Sequence, residues 1–316
     1  MHRRPLVAAL EFGVHPSPEA TGGMGEAVGA GIPRLFHRQR VLLSLLSTFG
    51  GKMGESDVQR LLFDYGRRCR ARHIDPPYDF ISDEHGPRSF TAVADRDKLA
   101  SRGILVSGTW HLTAEGHRLA RSLKNREVSV FAARFRNRSV GDLGADGNRR
   151  PPVVRRDCNG AARDNAHSKG GLLATIGYEG RSYEAYFSKL LESGISRLCD
   201  VRRNQLSRKW GFSKRVLSQG CDELGIRYES FRELGIESGA RANLGDRAAY
   251  ERLFAEYEAT TLPRCRDAVG RIAGWIDAGE RVAITCYERD AGDCHRSRLA
   301  GAIVATAAGP LRPKHL

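Results

Sequence analysis

The sequence predicts an α/β domain with a mostly parallel sheet flanked by helices, preceded by a smaller α+β domain. Three observations carry this. From Leu172 onward, short apolar runs alternate with helix-period segments, the pattern of parallel strands joined by crossover helices. Two of those runs lead directly into dense polar clusters. Residues 34–124 instead read helix, helix, helix, hairpin, helix, and a basic, low-apolar stretch separates the two patterns.

In the first domain, Val41–Leu46 and Val58–Phe63 carry the i, i+3, i+4 apolar spacing of helices. Ser56 and Asp57 are candidate caps for the second. Asp95–Arg102 reads as a third helix ended by Gly103, Ile104–Val106 with Gly108–Thr113 as a short hairpin, and Ala114–Leu123 as a closing helix. That order is winged-helix-like. Residues 1–33, rich in Gly, Pro, Ala and Glu without a period, read as a disordered lead. Residues 125–170 read as a basic linker, with ten Lys or Arg against five acidic residues; Phe131 and Phe135 can extend the preceding helix, and no core pattern survives from Ser139 onward.

In the second domain, 171–308, strands are expected at Leu172–Ile176, Arg197–Val201, Ile226–Tyr228 and Val282–Thr285. Helices are expected at Ser182–Ser193, Lys214–Leu224, Tyr250–Thr260, Arg264–Asp277 and His295–Val304, with Leu262-Pro263 as a break. Residues 309–316 read as a frayed tail.

The chain has 316 residues and a formal charge of +14, from 51 basic and 37 acidic side chains. Such an excess favours polyanionic partners. No apolar run approaches the ~20 residues of a membrane span, and Glu11 interrupts the one short apolar patch near the start. Seven scattered cysteines match no disulfide framework. They point to reduced thiols and a cytoplasmic setting.

Two clusters carry the chemistry. The first is Cys286-Tyr-Glu-Arg-Asp-Ala-Gly-Asp-Cys294-His295-Arg296, between a strand and a helix. In α/β sheets that crevice is where ligands bind, and a helix start favours an anion. The second is Asp200-Val-Arg202 and the loop behind it, where residues 202–214 hold five Lys or Arg together with Trp210 and Phe212. Arginine forks suit phosphate, and aromatic rings suit stacking on bases.

Thr175-Ile-Gly-Tyr-Glu-Gly180, Asp200-Val-Arg202, Leu206–Lys214, Gly225-Ile-Arg-Tyr228, Glu233-Leu-Gly235 and Cys294-His-Arg-Ser297 occur in one order. Together they resemble the bacterial family known as domain of unknown function 488, over roughly residues 172–305. The resemblance implies an α/β domain with polar motifs at its strand ends and supplies no reaction. Gln205 departs from it, standing where the pattern expects proline. More weakly, Pro77-Tyr-Asp-Phe80 and His85-Gly-Pro-Arg-Ser-Phe90 resemble part of Panacea-type antitoxin domains.

Three chemistries stay open. Cys294, beside His295, Arg296 and a helix start, is a candidate nucleophile with a lowered thiol pKa. Against it, the spacing lacks the Cys-x5-Arg loop that cradles an oxyanion. Cys286, Cys294, His295 and Asp200 make a possible metal set. The spacing is not a standard one, adjacent Cys and His on a helix should point apart, and no metal is assigned. Anion recognition by Arg202, Arg203, Arg208, Lys209, Lys214, Arg289 and Arg296 is favoured, with Asp200, Glu288, Cys294 and His295 as the candidate catalytic groups. An Asp200–Arg296 ion pair across neighbouring strand ends fits any of these. The expectation is a nucleic-acid- or nucleotide-associated protein with a phosphate pocket, its reaction and cofactor unspecified. The alternative is a non-catalytic, antitoxin-like regulator using residues 34–124 on DNA or a protein partner.

Overall fold

The computed structural model describes residues 34–83, 86–135, 170–237, 239–241 and 246–316. The expected lead, 1–33, and most of the expected linker lie outside the described residues. The chain divides into two units, 1–78 with 92–145 and 79–91 with 146–316.

In chain order the first half holds α1 (His37–Thr48), β1 (Lys52–Met53), α2 (Glu55–Ala71), β2 (Ile81–Asp83), β3 (Gly86–Arg88), α3 (Phe90–Ala100), β4 (Trp110–His111), α4 (Ala114–Ser122) and α5 (Arg126–Ala132). The apolar run of α1 forms the centre of the first unit, with Val41, Leu42, Leu43, Leu45 and Leu46 buried. Asp95 is the polar anchor beside it. Its carboxylate accepts from Arg38, Gln39 and Tyr78, so a buried charge is paired and hydrogen-bonded as burial demands. Thr113 caps α4 through its side chain.

The expected hairpin at 104–113 narrows to one antiparallel bridge, Leu105 with Leu112. Beside it, β4 pairs antiparallel with β1. Residues 126–135 are not linker. They form α5 and a short turn, capped by Asn125. Phe131 is buried edge-on against Tyr65 and Phe135, and an apolar ring of that size does not stay in a solvated connector.

The second half holds β5 (Leu172–Gly177), α6 (Tyr183–Glu192), β6 (Arg197–Asp200), α7 (Lys214–Glu223), β7 (Arg227–Ser230), α8 (Arg247–Glu256), α9 (Leu262–Arg264), α10 (Arg266–Asp277), β8 (Arg281–Cys286), α11 (Arg296–Thr306) and β9 (Lys314–His315). A π-helical turn, Tyr257–Thr261, joins α8 to α9, so the helix continues into Leu262-Pro263. The sheet has five strands in the order β7-β6-β8-β5-β9, and every pairing is parallel.

Alternation along each strand makes two cores. Ala174, Ile176, Leu198 and Ala283 face one, with Tyr186, Phe187 and Leu190 of α6 and Leu217 of α7. Leu173, Cys199, Val282 and Ile284 face the other, with Ile272 of α10 and Leu299 and Ile303 of α11. The β2–β3 hairpin belongs to this unit. Ile81 joins the first core, while Ser89 and Thr91 bind the buried Glu184 of α6.

Residues 309–316 do not fray. Lys314–His315 pairs with β5, His315 Nδ1 bonds Thr175 Oγ1 at 2.7 Å, and Leu316 N–H donates to Thr175 O. Without this segment β5 would be an open edge. Among the described residues no helix is long and apolar enough to cross a membrane.

Candidate functional site

Because all five strands are parallel, Gly177, Asp200, Ser230 and Cys286 end at one edge of the sheet, the edge where such sheets bind ligands. Asp200 and Arg202 follow β6 there, and His295 reaches the same strand end, its Nε2 3.2 Å from Val201 O.

Asp200 is fully buried and its carboxylate is saturated. Oδ1 accepts from the Arg202 backbone N–H at 3.1 Å and from Nε at 2.8 Å. Oδ2 accepts from the Arg202 terminal nitrogen at 2.6 Å and from Tyr228 O–H at 2.7 Å. The other arm of Arg202 donates to Tyr178 Oη at 3.0 Å and to Phe212 O at 2.7 Å. Burial alone would lower the Arg202 pKa; the hydrogen bonds and charge of Asp200 reverse that and raise it.

Three expectations change here. The ion partner of Asp200 is Arg202, not Arg296. Arg202 holds a carboxylate of its own chain and is not open to a ligand phosphate. Asp200 has no open acceptor with which to act as a base. Phe212 is likewise unavailable for stacking on a base, being buried flat against Tyr178 at 4.3 Å. Gln205, the departure from the family pattern, ties two strand ends together. It donates to Asp200 O and accepts from Ser230 Oγ, which proline has no side chain to do.

Arg296 is buried as well. Its guanidinium donates to the main-chain oxygens of Glu288 (2.5 Å) and Arg289 (2.9 Å), so it folds the 286–295 loop and does not face solvent. Gly177 permits the loop's approach to β5, because a Cβ there would lie 1.8 Å from Glu288 O. Cys286, Cys294 and His295 are buried, and one donor atom of each lies within 4.8 Å of the others. His295 Nδ1 is 3.7 Å from Cys294 Sγ and 3.9 Å from Cys286 Sγ. Its Nε2 is 3.2 Å from Val201 O. Cys286 Sγ donates to Glu288 at 3.2 Å.

The Cys294 thiol does not have the lowered pKa expected of a nucleophile. Burial pushes it well above the usual value, Cys286 and Glu288 add to the rise, and Arg296 opposes it only in part. Adjacent Cys294 and His295 converge because both precede Arg296, the first residue of α11.

The remaining cations divide by surroundings. Arg203 pairs with Glu237 at the surface. Arg208 is exposed on the loop and Lys214 at the first position of α7. Lys209 donates to Tyr178 O, and burial lowers its pKa. Arg289 lines an open cleft of about 730 Å³ with Glu179, Arg181, Tyr250, Tyr287, Glu288, Asp290, Asp293 and His315. Within it Glu179 accepts from Arg289 N–H, Asp290 from Gly292 N–H, and Asp293 pairs with Arg247.

Arg181, Tyr287 and His315 were not legible as site residues. Arg181 directly follows the Gly177–Gly180 turn, and a rule counting every strand-end loop would have found it. The Arg181 pKa is lowered, first by burial and then by the charges of Arg289 and Arg296. Its Nε is buried without a hydrogen-bond partner.

Residues 182–303 match the family described as Domain of unknown function DUF488. The match takes in five of the six motifs that carried the C-terminal resemblance and leaves Thr175–Gly180, Arg181 and His315 outside it. No curated protein and no solved structure matches the chain.

Proposed function

We propose that the carboxyl-edge cleft of the α/β unit recognises a phosphorylated ligand of the nucleotide or nucleic-acid class. One observation carries the reading: Arg181 donates through one terminal nitrogen to Leu316 O at 2.8 Å but keeps a buried, unpartnered Nε, and it feels the like charges of Arg289 and Arg296. Among the described residues the Arg289 side chain has no hydrogen-bond or ion-pair partner. The acidic groups of the cleft, by contrast, are occupied by their own chain. An anion between Arg181 and Arg289 relieves their repulsion and supplies acceptors for both forks. Tyr287, 47% exposed at the same cleft, is the ring available to a base. A catalytic step on this reading draws on Glu288, the candidate carboxylate that lines the cleft, since Asp200 is enclosed.

The test is anisotropy binding of a fluorescent nucleoside triphosphate and of a short labelled oligonucleotide at several salt concentrations. Arg289→Ala and Arg181→Ala should each cost about tenfold or more in affinity, the worth of a charged hydrogen bond. Arg203→Ala, outside the cleft, should change little. Affinity should fall steeply with salt. Normal binding by both cleft variants refutes the proposal.

A second reading keeps the chain as a non-catalytic regulator whose winged-helix-like first unit contacts DNA or a protein partner. The exposed Arg60, Arg67 and Arg70 along α2 favour it. Replacing all three with Ala should then abolish DNA binding while nucleotide binding persists.

A further inference from the structure

We infer that Cys286, Cys294 and His295 form a zinc site at the floor of the 286–295 loop, with Glu288 as the carboxylate placed to complete it. The donors are of the kinds zinc takes, two thiolates and one imidazole. Their spacing fits the ion. With Zn–S near 2.3 Å and Zn–N near 2.0–2.1 Å, tetrahedral geometry separates S from N by about 3.6 Å. The observed separations are 3.7 and 3.9 Å.

The tautomer also fits. A proton on Nε2 is donated to Val201 O at 3.2 Å, which leaves the Nδ1 lone pair directed at the sulfurs. An outer hydrogen bond of this kind is what orients ligating histidines. Tyr257, brought in by the π-helical turn, packs edge-on against the imidazole and fixes its plane.

An independent observation is the charge of Arg296. This guanidinium is 2% exposed, yet its partners are two main-chain oxygens, and among the described residues it forms no ion pair. A buried cation without a counter-ion is costly. A zinc ion held by two thiolates, a neutral imidazole and a carboxylate carries a net charge of −1. Binding supplies the missing counter-charge and releases the two thiol protons to solvent. The inference goes beyond the proposed anion recognition, since the two thiols and the imidazole are buried at the loop floor while the anion groups, Arg181 and Arg289, line the cleft, with Glu288 alone common to both.

The experiment is metal analysis of the full chain purified without added zinc, by native mass spectrometry and elemental analysis. It is followed by chelator stripping and back-titration with Zn²⁺ against a chromophoric competitor, and with Co²⁺ read by absorbance. The expected result is about one zinc per chain, regained after stripping, with a cobalt–thiolate charge-transfer band. Cys286→Ser, Cys294→Ser and His295→Gln should each weaken zinc binding at least tenfold, Glu288→Gln less, and the half-exposed Cys265→Ser not at all. Arg289→Ala should keep zinc while losing the anion, so failure of one proposal is distinguishable from failure of the other. If a ligand variant fails to fold, the wild-type titration decides alone. A stripped native chain that takes up no zinc, or a cobalt complex without a thiolate band, overturns the inference, as does undiminished zinc binding by Cys294→Ser.

Discussion

Asp200→Asn is the sharpest test of the buried pair. The substitution keeps the shape of the side chain and removes its charge, leaving the Arg202 guanidinium without a counter-ion where the side chain is 4% exposed. Breaking a buried pair by removing one partner costs about 3–5 kcal/mol. In a domain of 150–250 residues each kcal/mol lowers Tm by about 2–4 °C, so the expected fall is about 6–20 °C. Tyr228→Phe removes one donor to the same carboxylate and should cost less, about 1.5–3 kcal/mol as a hydrogen bond to a charged group. Replacing both Asp200 and Arg202 with leucine should recover much of the loss, because it leaves no charge unpaired. The assay is urea denaturation followed by tryptophan fluorescence, with Trp275 packed on Phe231 beneath the sheet as a reporter. A loss under about 1 kcal/mol for Asp200→Asn, the range of an ordinary substitution, would refute the locked pair. Asp200 would then again be available as a base.

Other expectations follow from buried groups. Burial raises the Glu184 pKa above 4.5, although Thr91 and Ser89 bond the carboxylate. With the folded pKa above the unfolded one, its contribution is full below about pH 4.5 and lost as pH rises through the folded value. Glu184→Gln should therefore gain on the native chain as pH increases from 4 to 8; a constant difference would contradict this. Iodoacetamide on the native protein should mark the half-exposed Cys265 before buried Cys294, and early labelling of Cys294 would restore the nucleophile reading. Gly177→Ala should displace the 286–295 loop, since no rotation removes a Cβ 1.8 Å from Glu288 O; unchanged stability and unchanged zinc uptake would argue against that contact. Deleting residues 310–316 should uncover β5 and promote association by size-exclusion chromatography.

The sheet was legible because buried parallel strands read as continuous apolar runs. Leu172–Ile176 and Val282–Thr285 are two such runs and nothing else explains them. The fifth strand was not. Lys314–His315 is two residues long and held by its backbone and by His315 on Thr175, and no hydropathy pattern encodes that. Phe131 and Phe135 signalled a helical start to the linker, but the partner that holds Phe131, Tyr65, lies far away in sequence. At the strand-end edge, residue type alone could not tell enclosed side chains from open ones. Arginine type predicts anion binding equally for Arg202, Arg289 and Arg296, yet burial separates them: two hold the protein's own acceptors and one lies at an open cleft. That separation depends on Asp200, Tyr178 and the carbonyls of 288 and 289 arriving from different elements, which local spacing does not contain. Cys294 and His295 likewise depend on where a neighbouring element begins. Helical spacing drives adjacent side chains apart, but a helix beginning one residue later leaves both free to meet Cys286. A ligand at this edge is therefore to be sought first at Arg289, whose side chain lines the open cleft, before the buried arginines that the motifs make conspicuous.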